Sequence, residues 1–292
     1  MTSMVIHADD IGMCHGANAA FVELSRLGVI SAGSVMVPCP WFSEIAAIAA
    51  GDDSLDVGVH LTLNAEQAWY RWAPVSRPSP GAGLTDRDGY CWRSVADVRA
   101  NAQPDAVEAE WRAQVDRALA AGIDVTHLDA HMGSALAPEW CDRYVALGVE
   151  YDIPVLITET LGGYGPNNHL ADVTEDRFAP FVAEARAAGM PVFGRVLETD
   201  FGRQRGAPHD YRSMLTSATE ELVYCAFHPC RPGPGEIEEI EPGAHHVRVD
   251  EYDWFGTDEW RGWLDDSPID VIGMRGLRDE WRRNRLDSVA SD

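Results

Sequence analysis

The sequence predicts an α/β chain built on a parallel sheet, either a barrel or a doubly wound sheet, and three observations carry that expectation. Short β-branched runs alternate with longer segments of helical period, seven or eight such repeats follow one another, and no change of composition divides the 292 residues. A single domain over 1–292 is therefore expected, a length that suits one barrel-sized core.

The first predicted strand is 5–8, and the run HGANAAFVELSRLG behind it has an apolar stripe that stops at Gly28, a residue suited to a left-handed helix end. Strands follow at 33–37 and 57–63. A second amphipathic helix, DAVEAEWRAQVDRALAAG, stops at Gly122 and leads into strands at 123–128, 155–158, 192–196, 222–227 and 269–273. Two stretches rich in Pro, Gly and aromatic residues break the alternation, 68–92 and 229–255. Loops this long inside a domain are usually functional. Trp69, Tyr70, Trp72, Tyr90 and Trp92 are too many large aromatics for a solvated linker, so the first stretch is expected to be a folded lid.

The formal charge of −24 and the lack of a basic stripe argue against a nucleic-acid partner. All 23 basic residues are arginine, which excludes Schiff-base, pyridoxal and P-loop chemistry that needs a lysine amine. The six cysteines are scattered singly, as reduced intracellular thiols are. No signal segment is evident, and no run approaches the roughly 18 apolar residues of a membrane span. A cytoplasmic protein with a small-molecule partner and no membrane association is expected, and a homo-oligomer is left open.

Four short motifs could carry chemistry. Asp9 and Asp10 close the first strand ahead of Gly12. Neighbours on a strand face opposite ways, so both serve one site only if the chain turns there; otherwise one of them caps the next helix. His60 lies in an apolar alternating strand, where it is either a core residue or a ligand. His127, Asp129 and His131 end another strand. Extended residues rise about 3.3 Å each, which puts the two histidines roughly 13 Å apart. His131, beyond the strand end, is the better ligand, and His127, with Asp129, is better read as an orienting group behind it. His228, set by Pro229, is suited to a general acid or is a surface histidine. His245 and His246 are read as loop residues. All four motifs fall at or near the C-terminal ends of predicted parallel strands, where barrel active sites sit. Two histidines and one carboxylate with open positions make a hydrolytic metal site, and a further carboxylate beside it supplies a base.

These residues resemble the YdjC-like carbohydrate deacetylase family, relatives in mechanism of the polysaccharide deacetylases. The family's Ala-Asp-Asp-Phe-Gly resembles Ala8-Asp9-Asp10-Ile11-Gly12, and its Gly-x-His-x-x-Leu resembles the stretch from Gly58 through His60 to Leu63. Its Thr-His-x-Asp-x-His resembles the stretch from Thr126 to His131, and its His-Pro-Gly resembles His228-Pro229. The resemblance implies a distorted, TIM-barrel-like (β/α) barrel of about seven strands that removes an acetyl group from an N-acetylated amino sugar or short oligosaccharide. It implies Asp9 as general base, Asp10, His60 and His131 as ligands of a divalent metal, and His228 as acid. Magnesium or zinc suits the ligands, and manganese or cobalt is also accepted. Trp69, Tyr70 and Trp72 would stack on the sugar. The chain departs from the family at Met132-Gly133, where many members carry further histidines, at Ile11 and at Cys230. Two rival readings are a phosphoester or other amide or ester hydrolase, using Arg195, Arg203 or Arg205, and a non-catalytic sugar-binding barrel.

Overall fold

The computed structural model describes residues 2–165, 169–233 and 235–289. In chain order its strands are β1 (Ser3–Ile11), β2 (Ala32–Val35), β3 (Val57–Leu61), β4 (Val125–Ala130), β5 (Arg195–Glu198), β6 (Leu222–Phe227) and β7 (Asp270–Val271). The helices are α1 (His15–Arg26), α2 (Phe42–Ala49), α3 (Val95–Asn101), α4 (Pro104–Ala120), α5 (Cys141–Tyr151), α6 (Glu175–Ala187), α7 (Tyr211–Thr216), α8 (Glu236–Ile240), α9 (His245–Phe255), α10 (Asp258–Asp266) and α11 (Met274–Val289). Every strand pairing is parallel, in the order β4-β3-β2-β1-β6-β5, with β7 also against the start of β1. Strands such as VGVHL and LVYCAF read as continuous apolar runs because both faces of a helix-covered parallel sheet are buried.

The expected strand at 155–158 is reduced to two isolated bridges, Leu128 to Val155 and Thr158 to Phe193. These few residues contact a different neighbour at each end, which leaves no room for a ladder on either side. The bonds nonetheless join the two edges of the sheet. Leu156 N–H donates to Leu128 O at 2.7 Å, and Phe193 N–H donates to Ile157 O at 2.9 Å. The parallel sheet is thus curled, its edges bridged by an irregular segment, as a distorted barrel requires.

The stretch 229–255, expected as a long loop, instead carries α8 and the whole of α9, so that expectation is corrected; Pro234 within it lies outside the described residues. His245 and His246 are not loop residues: they open α9 and are buried. The aromatic stretch 68–92 has only one short helical turn, Pro80–Ala82, and is tied down by polar bonds. Cys91 N–H donates to Trp72 O at 3.0 Å. Glu110, buried on α4, accepts from the N–H groups of Val75 and Ser76 at 2.9 and 2.8 Å, and from Gln114 at 2.8 Å. Glu110→Ala strands two loop amides, and an unmade buried bond costs about 1–3 kcal/mol. A loss of roughly 2–4 kcal/mol in urea unfolding is expected on that basis, with faster proteolysis within 73–79. An unchanged midpoint would remove Glu110 as the anchor.

Candidate metal and catalytic site

The two acids at the end of β1 face one cavity because the chain turns at Asp10 itself, whose φ is +57°, followed by Gly12 at +89°. Aspartate tolerates that left-handed conformation better than most residues, since its short side chain bonds locally. The β1–β2 register breaks over the same residues, between Ala8 and Ile11. Parallel register sets the other partners. Ala8 lies opposite Phe227, so Asp9 and His228 emerge level from β1 and β6, and His60 lies opposite Asp129 on β3 and β4. His131 leaves β4 just before a second left-handed pair, Met132 at +54° and Gly133 at +62°. A methionine held there is strained, which places the family departure on the turn that aims a site histidine.

Asp10 divides its two oxygens. Oδ1 is 3.4 Å from His60 Nε2 and 3.0 Å from His131 Nδ1, and Oδ2 accepts from Arg248 Nη2 at 2.8 Å. Each histidine is held from behind by a carboxylate. His60 Nδ1 is 2.9 Å from Asp129 Oδ1, and His131 Nε2 is 2.9 Å from Glu66 Oε2. Asp129 is fixed in turn by hydroxyls, Ser34 at 2.9 Å and Tyr224 at 2.8 Å. Burial opposes ionisation of Asp10, yet Arg248 and His131 outweigh it and hold the carboxyl well below the usual range. Burial likewise opposes charge on His131, but Glu66 and Asp10 raise it to about 9. Burial acts against His60 too, and Asp129 and Asp10 raise it well above its ordinary value. The spot therefore favours positive charge.

These residues fit a divalent cation. Donor atoms of Asp10, His60 and His131 lie within 4.8 Å of one another, all three residues are buried, and each ring has its second nitrogen on a carboxylate, as metal-ligating histidines do. His7, His127 and Asp129 also gather within 4.8 Å, but there the two Nε2 atoms face each other at hydrogen-bond distance, 2.8 Å.

Asp9 stands beside the cluster. Burial pushes its carboxyl well above the usual range, with His60 opposing and Asp129 and Asp10 adding to the rise. Across from it, His228 Nε2 is 3.7 Å from Asp9 Oδ2, the His228 N–H donates to Glu251 at 2.6 Å, and burial drives the imidazole down to about 3. Asp9, Asp10, His60, Glu66, His131, His228 and Arg248 share a cavity of about 290 Å³ with an apolar wall that includes Leu156, Val196 and Phe201.

The structure thus brings together five of the residues singled out from sequence, with His127 and Asp129 behind them. It does not bring the aromatic trio into the cavity lining. Trp72 is buried, its ring 6.3 Å from that of His131, because the 68–92 stretch folds inward around it; Tyr70 donates its hydroxyl to Met13 O at 2.6 Å; Trp69 is 62% exposed. Arg203 is engaged by Asp250 at 2.8 Å and, like Arg195 and Arg205, does not line the cavity. Glu66, Arg248 and Glu241, which accepts from Arg248 at 2.5 Å, were missed from sequence. No spacing links Arg248 to Asp10. His7, two residues from Asp9 in the same motif, carried a signal that adjacency could have supplied.

A parallel α/β chain that gathers two histidines and an aspartate at or near its strand ends, with a second aspartate beside them, is of the class of barrel proteins whose strand-end residues could hold a divalent metal. The YdjC-like protein model matches residues 3–266, and the chain belongs to that family. Among curated relatives, the carbohydrate deacetylase of Thermus thermophilus is 37% identical over 164 residues, covering 56% of each chain. The carbohydrate deacetylase of Brevibacillus brevis is 32% identical over 176 residues, 60% of this chain and 67% of its own. The chain spans about half to two-thirds of the length of these relatives. A crystal structure from Enterococcus faecalis V583, described as that of a cellobiose-phosphate cleavage protein, superimposes with a TM-score of 0.73 at 19% identity, over 94% of this chain and 98% of that one, a likeness of fold. Among the described residues, no helix is long and apolar enough to cross a membrane.

Proposed function

We propose that the chain is a metal-dependent hydrolase that removes the acetyl group from an N-acetylated amino sugar or short oligosaccharide. The observation that carries this reading is the open cluster of Asp10, His60 and His131 with Asp9 beside it, in a chain of the YdjC-like family. The relatives named carbohydrate deacetylase support the reaction class.

Asp10, His60 and His131 would hold a divalent ion, which when bound would supply Lewis acidity to the amide carbonyl and acidify a water. Asp9 accepts the proton of the attacking water at Oδ2, the oxygen that faces His228. His228, depressed to about 3, rests as neutral imidazole; the proton that Asp9 Oδ2 has taken from the water passes to His228 Nε2, 3.7 Å away, and from there to the departing nitrogen, so that the C–N bond breaks to a neutral amine. Arg248 keeps Asp10 Oδ2 engaged and leaves Oδ1 toward the two histidines. Trp69, the exposed member of the aromatic trio, is the one free to meet a sugar face outside the cavity.

The test is acetate release from a panel of N-acetylated mono- and disaccharides with added zinc, magnesium, manganese or cobalt. Acetate in equal amount to new free amine is expected with at least one metal. Phosphate from sugar phosphates with no acetate would favour the phosphoester reading. That alternative is weakened by the arginine that lines the cavity, Arg248, being bound to Asp10 and Glu241. A protein that takes up sugar and releases nothing would be a binding barrel.

A further inference from the structure

Behind Asp9, the barrel interior holds a file of polar groups that the reaction above does not use. His7 Nδ1 is 2.5 Å from Asp9 Oδ1, and His7 Nε2 is 2.8 Å from His127 Nε2. His127 Nδ1 is 3.0 Å from Thr126 Oγ1, which donates to Asp56 Oδ1 at 2.5 Å. Asp56 Oδ2 accepts the N–H of Arg275 at 2.7 Å. His7, His127 and Thr126 are fully buried and Asp56 nearly so. Asp9 lies near the C-terminal end of β1 and Asp56 just precedes β3, so the file crosses the barrel core from the site to its opposite end.

The hydrogen count gives the file one direction. Thr126 spends its single proton on Asp56, so its oxygen must accept from His127 Nδ1–H. A neutral His127 then offers a lone pair at Nε2, which takes the N–H of His7 Nε2. His7 Nδ1 is left to share one proton with Asp9 Oδ1, and Oδ2 is the carboxyl oxygen that stays free for the cavity. Room for the His127 ring comes from Gly58: a Cβ there would lie 2.5 Å from His127 Cε1 and 2.6 Å from both ring nitrogens.

Resting on the functional reading above, we propose that His7, His127, Thr126 and Asp56 are positioning residues for Asp9. The file clamps Oδ1 and fixes the tautomers of both imidazoles, so that Oδ2 alone is presented to the attacking water. Two histidines that merely satisfied each other in a core would matter for stability, and not for turnover.

Thr126→Val keeps the side-chain shape and removes the hydroxyl, leaving His127 without its director. With acetate release as the assay, kcat is expected to fall roughly tenfold at unchanged KM and metal content, the scale at which such supporting partners act. Thr126→Ser should restore it. His7→Asn, too short to reach His127, should lower kcat likewise, and the double variant should be no worse than His7→Asn alone. A Thr126→Val kcat within twofold of wild type, or additive losses in the double variant, overturns the proposal while leaving the deacetylase reading intact. Imidazole 15N spectra read the file without any substrate, even if Thr126→Val does not fold or no acetate is released. In the wild-type protein, His127 should carry its proton on Nδ1 and His7 on Nε2; His127 protonated at Nε2 overturns the proposal. So does a second tightly bound zinc per chain that His7→Asn loses.

Discussion

Asp9→Asn is expected to abolish turnover while the protein still binds its metal. The amide keeps the size and the shape of the carboxylate but cannot accept the proton of the attacking water at Oδ2. General-base catalysis of this kind contributes about 10²- to 10⁴-fold, so a fall in kcat of roughly 10³-fold is the scale to look for. Metal content is expected to be retained because the three donors that converge are those of Asp10, His60 and His131. The measurement pairs acetate release with metal analysis of the same sample. Near-normal kcat would take the base role from Asp9. Asp9 Oδ also lies with donors of His60 and Asp129 within 4.8 Å, so loss of the metal together with activity would move Asp9 into the ligand set instead.

Why the two acids are proposed for different roles could be read only in part from sequence. Their place at a strand end, and that of His60, His131 and His228 at other strand ends, was legible because parallel strands with crossover helices send every C-terminal end to one face. The turn that lets neighbours share a site was expected at Gly12; it begins at Asp10, a residue whose left-handed backbone no pattern of hydrophobicity announces. Arg248 was illegible for a different reason. It reaches Asp10 from α9, far along the chain, out of a Pro- and Gly-rich stretch whose helices have weak apolar periodicity. The aromatic trio is the converse case. Large aromatics in a long loop suggested a ligand surface, but Trp72 gains more from burial beside His131 than from facing solvent, as an aromatic of its area generally does. At 155–158, β-branched composition suggested a strand, whereas the position between two edges allows only single bridges.

The largest effect on the metal should come from His60→Ala. No other proposed ligand is so firmly prepared for a cation, because His60 sits inside β3, directly opposite Asp129, and Asp129 is itself held by Ser34 and Tyr224. Loss of a partner behind a ligand typically costs about 10- to 100-fold in metal affinity, and loss of the ligand itself should exceed that. A fall in affinity of more than roughly 100-fold is therefore expected, with activity at background at micromolar metal. Chelation of the wild-type protein should give the same inactive state, and added divalent ion should reverse it in the wild type and not in His60→Ala. The variant also leaves Asp129 without the imidazole that sits 2.9 Å from one of its oxygens, so the two consequences need separating. His60→Gln serves that purpose, because it retains a polar group at the position while lacking the imidazole geometry. Equal loss of metal in both variants, with unfolding midpoints near wild type for the Gln form, would assign the effect to ligation. Full metal occupancy in either variant would place the cation elsewhere than between Asp10, His60 and His131.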